Sequence, residues 1–279
     1  MKIFENMNLL LIGDFHGKTP KLKKGHEKFD AILCTGDLPY SKELTHLAFK
    51  YSKEIHEGKE LHELINKKKY VQLYKKALES QTILLEWLNK WNKPVFFVYG
   101  NHDYDYLTIK SIKYFPHIIS LNKVIEKYSN IHLLTNKIVK FNGVSIIGFS
   151  DSFSRHHKSN KFKKMWNSRL TKLFKKTNKK EFNIFLTHDP PSGVLDLVRN
   201  KKSFAYGEHY GDNIMTKYVK KYAPEIMVCG HMHENQGKKM LGTTLVVNAG
   251  YAHDGNYAFL KLKNNKFKVE IIKKSSGFP

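Results

Sequence analysis

The stretch Met7-Asn8-Leu9-Leu10-Leu11-Ile12-Gly13-Asp14-Phe15-His16 sets the reading of the whole chain. A short apolar run is stopped by glycine, which predicts a buried strand with polar residues at its carboxyl end. The same grammar recurs along the chain. Ala31-Ile32-Leu33-Cys34-Thr35 stops at Gly36-Asp37, and Pro94-Val95-Phe96-Phe97-Val98-Tyr99 stops at Gly100-Asn101-His102-Asp103. Val144–Phe149 precedes Ser150-Asp151, Asn183–Thr187 ends at His188, and Glu225–Cys229 ends at Gly230-His231-Met232-His233. Thr244–Asn248 ends at Ala249-Gly250, and Tyr257–Leu262 with Phe267–Ile271 reads as a hairpin through Asn264-Asn265.

Helical patterns fill the gaps. From Ser41 to Trp91, Val71, Tyr74, Leu78, Leu84, Leu85, Leu88 and Trp91 recur near helix spacing between lysines and glutamates. From Lys161 to Lys175, Phe162, Met165, Trp166, Leu170, Leu173 and Phe174 make one stripe. Both stripes are expected to pack against a core. Asp212 is placed to cap a helix running to about Tyr222. There is no internal repeat and no Pro/Gly/Ser linker. The expectation is therefore one domain over 1–279, with a helical insertion at about 41–91 and a basic one at about 151–182.

Composition bounds the function. The chain has 279 residues, 41% hydrophobic and 26% charged, which excludes disorder for its bulk. No run approaches the ~18 apolar residues of a membrane span. The opening residues lack a signal-peptide pattern, and the two cysteines, Cys34 and Cys229, lie in apolar runs. No disulfide framework follows, and a cytoplasmic setting is expected. The net charge of +23 is carried by lysine, with three arginines only, Arg155, Arg169 and Arg199. That favours a plain solvated lysine surface, with a field that steers anionic substrates as the alternative, and it counts against a nucleic-acid binder, which draws on arginine forks.

The strand ends carry the chemistry. Sites in α/β architectures form outside the carboxyl ends of strands. Alternate side chains of an extended segment share a side, so Asp14 with His16, and His231 with His233, can each present two ligands to one place. The set holds carboxylates, an amide and imidazoles without a thiolate, which suits Mn, Fe, Zn, Co or Ni. It is too large for one tetrahedral ion and suits two ions bridged by a carboxylate.

The order Asp-x-His, Gly-Asp, Gly-Asn-His-Asp, His, Gly-His-x-His from Asp14 to His233 resembles the calcineurin-like metallophosphoesterase superfamily. The resemblance implies an α/β fold: a two-sheet β-sandwich flanked by helices, metallo-dependent phosphatase-like and four-layered, with helical insertions. It implies two divalent ions, manganese first among the candidates. Asp14, His16 and His233 would hold one ion and Asn101, His188 and His231 the other, with Asp37 bridging. His102 would contact the phosphate and protonate the leaving oxygen, and Asp103 would orient that imidazole. A metal-bridging hydroxide would attack phosphorus in line. The implied substrate is a small phosphoester. The segments after Asp37 and Asp151 tilt the expectation to diesters. Alternatives are a nuclease tracking polymeric nucleic acid on the lysine surface, a phosphomonoesterase, and a metal-binding scaffold without catalysis. His156 and His157 are expected at the surface. His209 and His253 are candidates for the pocket rim, and Asp189-Pro190-Pro191-Ser192-Gly193 for a rigid loop holding His188.

Overall fold

Leu9 and Leu11 leave the first strand on one side, and Leu10 and Ile12 on the other, and all four are fully buried. Leu9 and Leu11 join a cluster with Leu33, Ile146, Ile184 and Val228. Leu10 and Ile12 join another with Ile32, Cys34, Leu84, Leu85 and Leu88. A strand covered on both faces is apolar throughout, which is why the run is continuous rather than alternating. The computed structural model describes the chain apart from residues 1, 3, 41, 58, 60, 104–120, 151–159, 202, 204 and 275–279.

The described residues form two six-stranded sheets. The first contains β1 (Met7–Ile12), β2 (Ala31–Cys34), β3 (Val95–Phe97), β4 (Ile131–Leu133), β11 (Tyr257–Lys263) and β12 (Lys266–Ile272), in the order β12-β11-β1-β2-β3-β4. The second contains β5 (Lys137–Phe141), β6 (Val144–Gly148), β7 (Phe182–Leu186), β8 (Ile226–Cys229), β9 (Gly237–Leu241) and β10 (Thr244–Asn248), in the order β5-β6-β7-β8-β10-β9. Strands β1 to β4 run parallel, as do β6, β7, β8 and β10. The carboxyl ends of each parallel set therefore gather at one end of its sheet. The remaining pairings are antiparallel.

One core lies between the sheets and two lie outside them. Helix α4 (Lys67–Asn89) covers the outer face of the first sheet with Leu84, Leu85, Trp87 and Leu88. It follows α1 (Lys42–Lys50), α2 (Ser52–His56) and α3 (Leu61–Leu64), and Leu44, Leu73 and Ala77 make a small core of their own. Short α5 (Leu121–Ile125) leads into β4. On the outer face of the second sheet, α6 (Asn160–Lys175) and α7 (Asn213–Tyr222) pack Trp166, Leu170, Met215 and Val219 onto Phe149, Phe185 and Met227. The result is four layers, helix, sheet, sheet, helix. Asp212 caps α7 as expected, its carboxylate accepting from Met215 N at 2.8 Å. No described helix is long and apolar enough to cross a membrane. Cys34 and Cys229 are buried and free, and burial pushes both thiols up.

Three strands, β4, β5 and β9, were not expected from the sequence. All three are sheet edges. β5 and β9 are mostly exposed or half-buried and carry lysine, as edges do when they avoid pairing with other chains. The basic segment divides: residues 160–175 are a packed helix, and 151–159, with His156 and His157, lie outside the described residues.

Candidate metal centre

The loops leaving β1, β2, β3, β7 and β8 meet at one end of the sandwich. Backbone bonds lace them together. Asp14 N donates to Gly36 O at 2.8 Å, and the N–H groups of Phe15 and His16 donate to Asp37 O at 2.9 and 3.1 Å. Gly230 N donates to His188 O at 2.9 Å, which joins the β7 and β8 exits. Asp14, His16, Asp37 and His231 adopt positive φ of 54°, 42°, 55° and 68°. Such a backbone costs a non-glycine residue about 1 kcal/mol or more, and it concentrates at functional sites. Two glycines clear space for carboxylates. A Cβ on Gly100 would stand 2.1 Å from Asp37 Oδ1, and one on Gly230 would stand 2.2 Å from Asp14 Oδ2.

The side chains converge in three overlapping groups: Asp14, His16 and His233; His16, Asp37 and His102; and Asp37, His188 and His231. Within each, one ligand atom per residue lies within 4.8 Å of the others. Asn101 joins the third group, its Oδ1 2.9 Å from His188 Nε2. His16 and Asp37 each belong to two groups, so the three groups form one continuous cluster. The structure thus brings together all seven residues expected as ligands, with His102 in the middle group, its ring 5.0 Å from that of His16.

The donor set fits cations. His188 Nδ1 lies 2.7 Å from the Thr35 carbonyl, which only accepts, so that nitrogen carries the proton. In the neutral ring Nε2 is then bare. It faces Asn101 Oδ1 at 2.9 Å, His231 Nδ1 at 3.1 Å and Asp37 Oδ2 at 3.4 Å. Lone pairs aimed at one point call for a positive charge there. His16 Nε2 is buried without a hydrogen-bond partner, and Asp37 Oδ2 is 3.6 Å away. The electrostatics agree. Burial opposes a charged Asp37, yet His188, His102 and His16 hold its carboxyl well below the usual range. Burial likewise opposes a charged His188, yet Asp37, Asp14 and Asp189 raise its pKa. Burial and the neighbouring His233 push His16 down, leaving a neutral imidazole, the form that binds metal.

Asp103, expected to orient the His102 imidazole, is bonded to the backbone of both exit loops. Its Oδ2 accepts from Asp37 N and Gly100 N, both at 2.7 Å, and its Oδ1 from Leu38 N at 2.9 Å. A buried carboxylate with three backbone donors is committed to joining the β2 and β3 exit loops. Burial and the nearby Asp37 push its pKa up. His209 is tied to buried Asp196 at 2.7 Å and belongs to none of the three groups. His253 stands beside the centre, its backbone N donating to Asp14 O at 3.2 Å. The 189–193 loop is fastened by Asp212, whose N donates to Pro190 O and whose O accepts from Ser192 N. Two supports were not foreseen. The Thr35 carbonyl orients His188, and Asn248 Nδ2 holds the 230–232 turn through Gly230 O and Met232 O at 3.2 and 2.9 Å. Asn248 has a sequence signal, being the polar end of an apolar run; a backbone carbonyl has none.

A sequence model of a family described as metallophosphoesterase, calcineurin superfamily, matches residues 1–272. A UPF0046 protein of Caenorhabditis elegans is 28% identical over 130 residues, 46% of this chain. The matched stretch spans 40% of that relative's length. A crystal structure 20% identical covers 96% of this chain and 100% of its own, with a TM-score of 0.66. The crystal structure of TT1561 of Thermus thermophilus, 14% identical, covers 96% and 100% with a TM-score of 0.52. These two likenesses concern the fold alone. The family match is broader in meaning and takes in every strand-end residue of the cluster: the chain belongs to the metallophosphoesterases of the calcineurin superfamily.

Proposed function

We propose that the protein is a binuclear metal-dependent hydrolase of phosphoesters that prefers diesters. The observation that carries this reading is the overlap of the ligand groups through His16 and Asp37, which makes room for two neighbouring ions. Asp14, His16 and His233 would hold one, and Asn101, His188 and His231 the other, with Asp37 shared. Manganese is the first candidate, and iron, zinc, cobalt or nickel suit the same donors. Two such ions polarise a phosphoryl oxygen and make hydroxide available near neutral pH.

The chain's own groups do the rest. His102 donates its backbone N–H to Asp37 Oδ1 at 2.7 Å, and its ring lies 5.0 Å from that of His16, beside the shared carboxylate. From there the imidazole can bind a phosphoryl oxygen and pass a proton to the leaving oxygen. Asp103 keeps the Asp37 and His102 loops in register. The diester preference is supported by the helices that follow Asp37. Tyr40 N donates to Ser80 Oγ of α4 at 2.8 Å, so the helical segment is fastened at the rim, where it can contact a second ester arm.

The test is hydrolysis of matched chromogenic mono- and diesters by metal-stripped protein resupplied with Mn, Ni, Co or Zn. Metal-dependent turnover, faster on the diester and lost in Asp37→Asn and His102→Ala, is the expected result. Turnover without added metal in stripped protein would refute the reading, as would undiminished activity in Asp37→Asn.

A further inference from the structure

The carboxyl end of β10 also reaches the centre, through a residue outside the ligand set. Gly250 turns the chain at φ 86°, and Tyr251 follows. Ala252 N donates to Gly13 O at 3.1 Å and His253 N to Asp14 O at 3.2 Å, so this turn is fastened to the β1 exit. The Tyr251 ring lies 4.1 Å from the His233 ring at 18°, and 5.0 Å from the His253 ring at 14°. It also lies 5.5 Å from the His16 ring at 59°. The phenol thus touches two of the three residues in the Asp14 group and is clamped between two imidazoles.

A phenylalanine would make the same stack. The hydroxyl is what tyrosine adds, and it has no hydrogen-bond partner among the described residues. A half-buried hydroxyl normally finds a partner, protein or otherwise. Its ring contacts with His233 and His16 place the residue beside the same cluster. Acceptors dominate that cluster, and a phosphoester brings more of them. A neutral O–H donor there can bind an anionic oxygen without competing for the cations, as a lysine would.

We propose that Tyr251 is a substrate-contacting residue of this site: its hydroxyl donates a hydrogen bond to a non-bridging phosphoryl oxygen of the ester bound beside Asp14, His16 and His233. The rings of His233 and His253 hold that donor in place. The proposal rests on the phosphoesterase reading above.

The experiment compares wild type, Tyr251→Phe and Tyr251→Leu as full-length, manganese-loaded proteins. Three quantities are read: bound manganese per chain by elemental analysis, the Kd for inorganic phosphate by calorimetry, and kcat/KM on a chromogenic phosphodiester. Tyr251→Phe keeps the stack and is expected to bind the same manganese. Its phosphate affinity and kcat/KM should each fall about 10-fold or more, the scale of one hydrogen bond to a charged group. Tyr251→Leu should lose manganese as well. Wild-type phosphate affinity and kcat/KM in Tyr251→Phe would overturn the proposal, as would a fall that merely follows lost manganese. A wild-type protein that binds phosphate but hydrolyses no ester counts against the phosphoesterase reading. The phosphate affinities of wild type and Tyr251→Phe then still decide the role of Tyr251.

Discussion

The two ligand groups use the same residue types and are held in different ways. In the Asp37, His188, His231 group, the His188 side chain is 3% exposed and its Nδ1 is fixed by a backbone carbonyl. In the Asp14, His16, His233 group, the His233 side chain is 25% exposed, stacks on Tyr251 and meets another side chain, Asp14 Oδ1, at 3.2 Å. A carbonyl in a strand-end loop cannot rotate away, whereas a side-chain partner can. The deep group is therefore the more firmly held, and the outer group reaches solvent through His233, while Asp14 and His16 are buried. In the proposed enzyme the deep ion should be retained and the outer one exchanged.

The sharpest way to break this contrast is to remove what the groups share. Asp37→Asn should cost more than about 100-fold in activity, beyond what loss of a supporting residue costs, and should weaken both ions. Kinetics with elemental analysis would show it. Loss of one ion alone would mean that Asp37 serves a single centre. Next come the single ligands. His233→Ala should release the outer ion and leave one per chain, while His188→Ala should release the deep ion. Equal metal loss in the two variants would erase the distinction. Smaller effects should follow from crowding each carboxylate. Gly230→Ala presses on Asp14 and Gly100→Ala on Asp37. Each is expected to lower metal affinity about 10- to 100-fold, the first for the outer ion and the second for both, as read by metal titration.

The smallest effect concerns the loop behind the deep group. Burial raises the Asp212 pKa to about 6, against the cap bond it accepts from Met215. The folded state thus favours the protonated acid more than the unfolded chain does. From this group, stability is greatest below the unfolded pKa near 4 and is lost as pH rises through about 6. Asparagine caps helices as well as aspartate does and carries no charge. Asp212→Asn should therefore stabilise the protein at pH 7.5 by roughly 1–3 kcal/mol and change little near pH 4, measured by denaturant unfolding at both. Equal effects at the two pH values would show that the carboxylate is not penalised.

Burial decided what could be read in advance. Strands such as Met7–Ile12 and Thr244–Asn248 are covered on their faces, so their apolar runs carry the signal, and their bounds coincide with the observed ones. β4, β5 and β9 lie at edges, where solvent admits lysine and histidine and the pattern dissolves. The candidate ligand residues stood out because each follows a strand-like apolar run, most of them stopped by glycine, and the fold places them together. The left-handed backbone at Asp14, His16, Asp37 and His231 was not legible, since it is imposed by bonds between loops distant in sequence. The bonds from Asp103 to the backbone of Asp37, Leu38 and Gly100 were not legible for the same reason.

The central claim is a pair of adjoining cation positions sharing Asp37. It is tested most directly by titrating metal-free protein with manganese under calorimetry while following hydrolysis of a chromogenic diester. The account predicts two ions per chain, a tighter then a weaker one, with activity appearing on the second. Full activity with one ion bound, or no manganese bound at all, would contradict it.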